Sequence, residues 1–548
     1  MGEGEELYIK MNSRGKPLTE FETFKALFER AIEFADRSSE FDHKVDGVWS
    51  DLLWPLRGSK HIVDDEFLRY MRFITDICQW RAGDMPQGPL QARALKTFGA
   101  DNPDAAANLE FLFHAFDTWV GADIADEFRG LFTTAVAAER GGERVLLFSA
   151  PGTNLFDACC KSYDDAQRLG YARTLLLYAV LLHRAHPCDD FPRRLRVLRN
   201  LIEASENELR PQRLPALIAD VGRVVVKRSL DGLVGFNRAQ IEDERAKWDF
   251  ITDNPTQQSA LQRLEDHHLL RGSLRAFELD AHVFAERAEA FERIMSSPSL
   301  WREFTGALLA TGEYARIRND RDLQFGSPTL EGPWRLLLTG TSRSTLENLS
   351  KTLGAVLDGI PPSDADVADE LRLIQQRFLH ARQVEECYDW RYYLVRYTAM
   401  RDGQSGIYAS PSGRMGYSIC MLNKTQMNGR YRDPYLLAVV SEAHAEASVD
   451  DAADGGPWFR GGYVTDERWM YLLRSGTGLR CVADGFALTP PTRDGHRETF
   501  ERICNEHGVD SRHKLVLRQR VRGGEAVDAD DRVQAGAALL LDLAGADL

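Results

Sequence analysis

Cysteine pairs spaced for a metal, long apolar runs and the short signatures of common hydrolases are all missing from this 548-residue sequence. The eight cysteines (78, 159, 160, 188, 387, 420, 481, 504) include no C-x-x-C and no four-ligand spacing of the finger or ribbon kind, so ordinary reduced thiols and no metal are expected. No run approaches the ~18 apolar residues of a membrane helix, so no membrane span is expected. The opening MGEGEE carries glutamates where a signal segment would be basic and then apolar, which points to a cytoplasmic protein. Without a G-x-S-x-G, a Walker loop or an H-E-x-x-H, sequence motifs name no active site. An excess of basic charge is absent too. A net charge of −15 argues against the whole surface serving as a nucleic-acid platform, though arginines can still cluster on one face.

What is present is a globular composition, 43% hydrophobic and 28% charged, on a chain long enough for several domains. Residues 7–12 read as a short strand and 13–17 as a turn. A helix follows, opened by the capping box of Thr19 and Glu22, with Phe21, Phe24, Phe28, Ile32 and Ala35 on one face. Helical spacing dominates from there to about residue 380, with stretches at 168–186, 190–210, 212–227, 235–252, 256–278, 282–297 and 344–358. No fixed repeat period emerges, which disfavours a solenoid. Near residue 385 the pattern changes: DWRYYLVRYTAMRDGQSGIYASPSGRMGYSICMLN alternates as strands do, with Gly, Ser and Pro turns. A loop over 448–458, a helix near 465–474, a strand pair around Gly478–Leu488, a helix near 494–507, a strand at 514–521 and a final helix from about 530 complete the reading.

Several residue groups carry chemistry. Asn12, Ser13, Arg14, Gly15 and Lys16 suit either a phosphate cradle, with backbone N–H groups and two cations before a helix, or a tight strand-to-helix turn. Glu265, Asp266, His267 and His268 superficially suggest a metal, but adjacent helix residues point about 100° apart. A solvated or helix-packing role, with Arg271-Gly272 ending the helix, is the better reading. Glu244 and Lys247, one turn apart, are expected to form a surface ion pair. In DWRYYLVRY and NGRYRDPY, arginines interleave with aromatics, a pattern suited to stacking on bases and pairing with phosphates. This names Arg391, Tyr393, Arg396, Arg430 and Arg432 as nucleic-acid contacts; packed core aromatics with solvated arginines are the alternative.

The stretch LYIKMNSRGKPL, through Tyr8, Met11, Asn12, Ser13, Gly15 and Leu18, resembles the second motif of the ParB-like domain of GmrSD-type restriction proteins. The segments VDGVWSDLLWPLRGSKHIVDDEFLRYMRFI, RRLRVLRNLIEAS, QIEDERAKWDFI, LEDHHLLRGSL and LLATGEYARI also resemble that family, as do the DWRYYLVRY and NGRYRDPYLLAV regions. The resemblance implies a mainly α chain: a remnant of a ParB-like α/β domain over 1–36, a large helical middle over 37–384 and an α+β C-terminal domain over 385–548. It further implies a component of a prokaryotic anti-phage defence system that binds or senses nucleic acid, with an NTP and Mg as the complete protein's cofactors. Two departures stand out. The family's Asp-Gly-Gln-Gln-Arg motif is absent, and none of the thirteen histidines sits in an HNH nuclease context. The expectation is therefore an enzyme incomplete without a DGQQR-bearing half, which a partner chain could supply. A non-catalytic helical scaffold for protein assembly is the alternative.

Overall fold

A computed structural model of the chain describes residues 19–58, 62–135, 142–164, 169–340, 342–362, 366–423, 430–452, 455–461, 467–546 and 548. The protein is mainly α, with small sheets gathered toward the C-terminus. None of its described helices is long and apolar enough to cross a membrane. All eight cysteines are unpaired thiols.

The chain forms two compact units, Met1–Ser273 and Leu274–Leu548. In the first, the helix Glu20–Ala31 begins where its capping box predicts: Glu22 N–H donates to Thr19 Oγ1 at 3.1 Å, and Thr19 N–H donates to the Glu22 carboxylate at 2.7 Å. Its buried face carries Phe24 and Phe28, and the Phe28 ring lies 4.9 Å from Phe41 and 5.5 Å from Phe98. Aromatics continue the core, with Trp49 stacked on Phe116 at 4.4 Å and Tyr70 edge-on to Phe156 at 4.9 Å. The polar tips of these rings are matched, as burial demands. Tyr70 donates to the Ala115 carbonyl at 2.7 Å and accepts from Trp119 Nε1 at 3.1 Å. The helices Tyr171–Ala185, Leu214–Val225 and Arg238–Asp253 follow within a few residues of their sequence-predicted bounds, whereas the helix expected over 190–210 ends early, as Phe191–Glu203. The helix expected over 256–278 is shorter, Gln258–Glu265, and turns follow it. Two parallel strands, β1 (Phe132–Thr134) and β2 (Val145–Leu147), complete this unit's regular structure.

The second unit holds a six-stranded antiparallel sheet: β3 (Arg316–Arg318), β4 (Asp322–Gln324), β5 (Ile407–Ala409), β6 (Cys420–Leu422), β7 (Arg430–Arg432) and β8 (Trp458–Arg460), in sequence order. Because β4 pairs with β5, residues 316–324 fold with the C-terminal strands. The unit therefore begins at Leu274, well before the composition change at 385. A second sheet runs β12 (Lys514–Val516), β11 (Gly485–Thr489), β10 (Gly478–Val482), β9 (Met470–Tyr471), and β13 (Gln519–Arg522) pairs with β14 (Glu525–Asp528) as a hairpin.

Two expectations fail in this unit. Residues 390–396 are a helix, because Asp389 caps it by accepting from Tyr392 N–H at 3.0 Å and because Trp390, Tyr393, Leu394 and Tyr397 repeat at helical spacing. Residues 468–474, in the stretch expected to be a helix near 465–474, form none. Met470–Tyr471 pairs back onto β10 through a turn at Ser475-Gly476, where Gly476 has φ +72° and a Cβ would sit 2.1 Å from Thr492 Oγ1.

Candidate nucleic-acid interface

The β7–β8 pair at one end of the six-stranded sheet separates its side chains by the two-residue period of a strand. Tyr431 and Phe459, opposite each other, turn inward and are buried. The other face therefore carries Arg430, Arg432, Trp458 and Arg460. Arg432 lies beneath, 7% exposed, donating to the Asp402 carbonyl at 2.7 Å and the Gly455 carbonyl at 3.2 Å. Burial lowers its pKa, with Asp402 and Tyr408 opposing that effect. Its guanidinium carbon is 5.1 Å from the Trp458 ring, and that of Arg430 is 4.8 Å away, so the indole is flanked by two cations. Arg430 and Arg460 face each other directly across the ladder, both exposed, and neither forms an ion pair with a described residue. Like charges placed opposite each other on neighbouring strands cost stability.

Of the five nucleic-acid contacts named from the sequence, this face unites Arg430 and Arg432. Arg391 is engaged elsewhere: its guanidinium donates to the Leu309 and Ala310 carbonyls at 2.8 and 3.1 Å, ending the helix Trp301–Thr311. Tyr393 is buried, donates to Asp528 at 2.8 Å and accepts from Arg532 N–H at 3.0 Å. Arg396 is exposed at the end of the helix Trp390–Arg396, beside Tyr397. The tyrosines of this segment thus anchor the C-terminal helix Arg532–Gly545, since Tyr392 and Tyr397 both donate to Asp531, its N-cap. Trp458 and Arg460 were missed because 448–458 reads as a loop. The signal that finds them is W-F-R between glycines, an alternation matching R-Y-R on β7. Asn12, Ser13, Arg14, Gly15 and Lys16 lie outside the described residues.

A second concentration of charge lies inside the first unit, and three of the segments that carry the family resemblance build it. From the helix Phe191–Glu203, Arg196 and Arg199 both donate to Asp266, at 2.6 and 2.9 Å, and Asn200 donates to Glu265 at 2.8 Å. From the helix Arg238–Asp253, Lys247 donates to Glu244, to Glu265 at 2.9 Å and to the Gly272 carbonyl at 2.6 Å. Gln240 bonds the same carbonyl and Glu244. The i, i+3 pair expected at the surface therefore forms in the interior, with Glu244 and Lys247 at 1% and 2% exposure, because a third carboxylate and a backbone carbonyl complete the ammonium's shell. Burial would lower the Lys247 pKa, but the carboxylates of Glu244, Glu265 and Asp243 hold it above its ordinary value. Burial pushes the Glu244 carboxyl up to about 8, against the pull of Lys247. Gly272, at φ +89°, is required here: a Cβ would lie 2.3 Å from Asn200 Oδ1. His267 is fully buried with its ring 4.5 Å from that of His268, a packing role for the pair that superficially suggested a metal.

The interior network sets Arg196 and Arg199 against Asp266 and Lys247 against Glu244 and Glu265, so it binds the three segments together. The β7–β8 face is the reverse, with Arg430 and Arg460 exposed beside an aromatic ring and in no ion pair with a described residue. Such a surface can pair with phosphates and offers a ring on which a base can stack. Compared with family models, with curated proteins and with solved structures, the chain matches none.

Proposed function

We propose that this chain is a nucleic-acid-sensing component of a prokaryotic anti-phage defence system, and that the Arg430–Trp458–Arg460 face is where it touches nucleic acid. The defence-system part of the reading rests on the sequence resemblance to GmrSD-type proteins. The nucleic-acid part is carried by one observation, the direct opposition of Arg430 and Arg460 beside Trp458. Two exposed arginines in that register work against the sheet unless an external anion lies between them. A phosphodiester backbone supplies such an anion, and an unpaired base adjoining it supplies the stacking partner for the indole. Single strands fit this better than duplexes, because their bases are free to leave the stack.

The test is fluorescence anisotropy of labelled single-stranded DNA and RNA titrated with the full chain at two salt concentrations. The double variant Arg430→Ala/Arg460→Ala is expected to lose about tenfold or more in affinity and to flatten the salt dependence by a slope of about 1.4, the share of two contacts to a single strand. Equal affinity and equal salt slope in the wild type and the double variant would remove the support for this reading.

A further inference from the structure

A cleft of about 280 Å³ opens in the first unit against the helix Arg238–Asp253. Its floor is apolar, from Val197, Val224 and Leu230, and Trp248 forms a wall. On its other side the indole is covered by Arg193, whose guanidinium carbon is 3.6 Å from the ring centroid and which donates to the Trp248 carbonyl at 3.1 Å. Arg193 does not line the cleft, so the tryptophan stands between the two, held in place by a stack that packing alone does not require.

The charged groups around the opening divide into two kinds. Arg194 is buried and spent on Asp190 and the Val225 carbonyl. Arg245 donates to the Leu230 carbonyl at 2.8 Å and pairs with Asp231 at 3.3 Å, while its Nε is shielded from solvent and makes no hydrogen bond. Arg228 and Asp249, by contrast, are exposed and enter no hydrogen bond or ion pair with a described residue. Arg228 also holds a left-handed backbone, φ +56°, which costs a non-glycine residue about 1–2 kcal/mol. That conformation turns the chain at the end of the helix Leu214–Val225, where Lys227 N–H donates to the Gly222 carbonyl at 3.3 Å and Ser229 N–H to the Arg223 carbonyl at 3.2 Å, and it leaves the Arg228 side chain at the mouth of the cleft.

We propose that this cleft binds a nucleoside monophosphate, with the base against Trp248, the phosphate on Arg228, and Asp249 accepting from an exocyclic amine of the base. The mixed charge decides the class. A simple anion would be repelled by Asp249 and gain nothing from the apolar floor, whereas an uncharged aromatic would leave Arg228 unused. The volume sits at the small end of ligand pockets, enough for one nucleotide and too little for a chain of them. The inference is independent of the β7–β8 reading, since the residues belong to a different compact unit.

Isothermal titration of the full chain with AMP and GMP, and separately with adenosine and inorganic phosphate, tests it. Either nucleotide is expected to bind about tenfold or more tighter than adenosine or phosphate alone, because both halves of the cleft are engaged only by the whole ligand. Arg228→Glu, at an exposed position, should weaken the nucleotide by about tenfold or more while leaving the melting temperature unchanged. Asp249→Ala should weaken it by a smaller factor, and Arg430→Ala/Arg460→Ala should leave it unaltered. No binding of AMP or GMP at millimolar concentration overturns the proposal. So does equal affinity in Arg228→Glu, or binding of inorganic phosphate as tight as that of the nucleotides.

Discussion

Arginine is used in opposite ways in the interior of the first unit and on the sheet edge of the second. Inside, Arg196 and Arg199 share Asp266, Asn200 and Lys247 share Glu265, and three segments of chain converge on one cluster of paired charges. At the edge, Arg430 and Arg460 oppose each other beside Trp458, and neither pairs with a described carboxylate. A fold can retain buried charges only by matching them, because an unpaired buried ion costs several kcal/mol. It can retain exposed unmatched charges cheaply, because water screens them. Matching therefore marks groups that serve the fold, and mismatch marks groups available to a partner.

The comparison breaks first at Lys247. Replacing it with Met leaves Glu244 and Glu265 buried without their shared cation, and denaturant unfolding of the full chain should show a loss of about 3–5 kcal/mol in the first unit's transition. A loss under about 1 kcal/mol would mean the network is incidental. Next comes pH. The Glu244 carboxyl, pushed up to about 8 by burial, holds a proton in the folded state that the unfolded chain has already released above the ordinary carboxylate range. The stability this carboxyl contributes is therefore fully present below that range and is lost as pH rises toward about 8, by at most about 1.4 kcal/mol per pH unit. Glu244→Gln, which cannot titrate, should flatten that decline when unfolding free energies at the two ends of the window are compared.

Smaller effects sharpen the contrast. Tyr393→Phe removes an acceptor from the buried Arg532 N–H and a donor to Asp528, so a loss of about 1–3 kcal/mol is expected on thermal or chemical unfolding. Arg460→Ala at the sheet edge should change stability by no more than about 0.5 kcal/mol, in the stabilising direction if at all, since it relieves a like-charge pair. Marked destabilisation by Arg460→Ala would assign that arginine to the fold and dissolve the distinction between the two regions.

Much of the helical scaffold was legible because its signals are local. Thr19 and Glu22 announce a helix start, and the stretches near 171–185, 191–203 and 343–357 show the 3.6-residue period directly. The segment at 390–397 was misread because aromatic and polar residues that alternate in twos also repeat at three and four. The N-cap at Asp389 was the cue that arbitrates. On the candidate interface, Arg430 and Arg432 were legible from the R-Y-R alternation. Trp458 and Arg460 were not, since W-F-R between glycines is too short to name a strand before its partner, 28 residues away, is known.

The sequence by itself determined where helices begin, which faces are apolar and that arginines stand among aromatics near the C-terminus. These depend on contacts within a turn or two of chain. Tertiary structure alone decided which charges are buried and which are left facing water. Glu244 and Lys247 lie one turn apart on an ordinary-looking helix, and only the arrival of Glu265 and the Gly272 carbonyl from elsewhere in the chain turns a surface pair into an interior one. Whether a cation is matched depends on long-range neighbours, and in this protein that matching separates the charges that hold the fold from those open to a ligand.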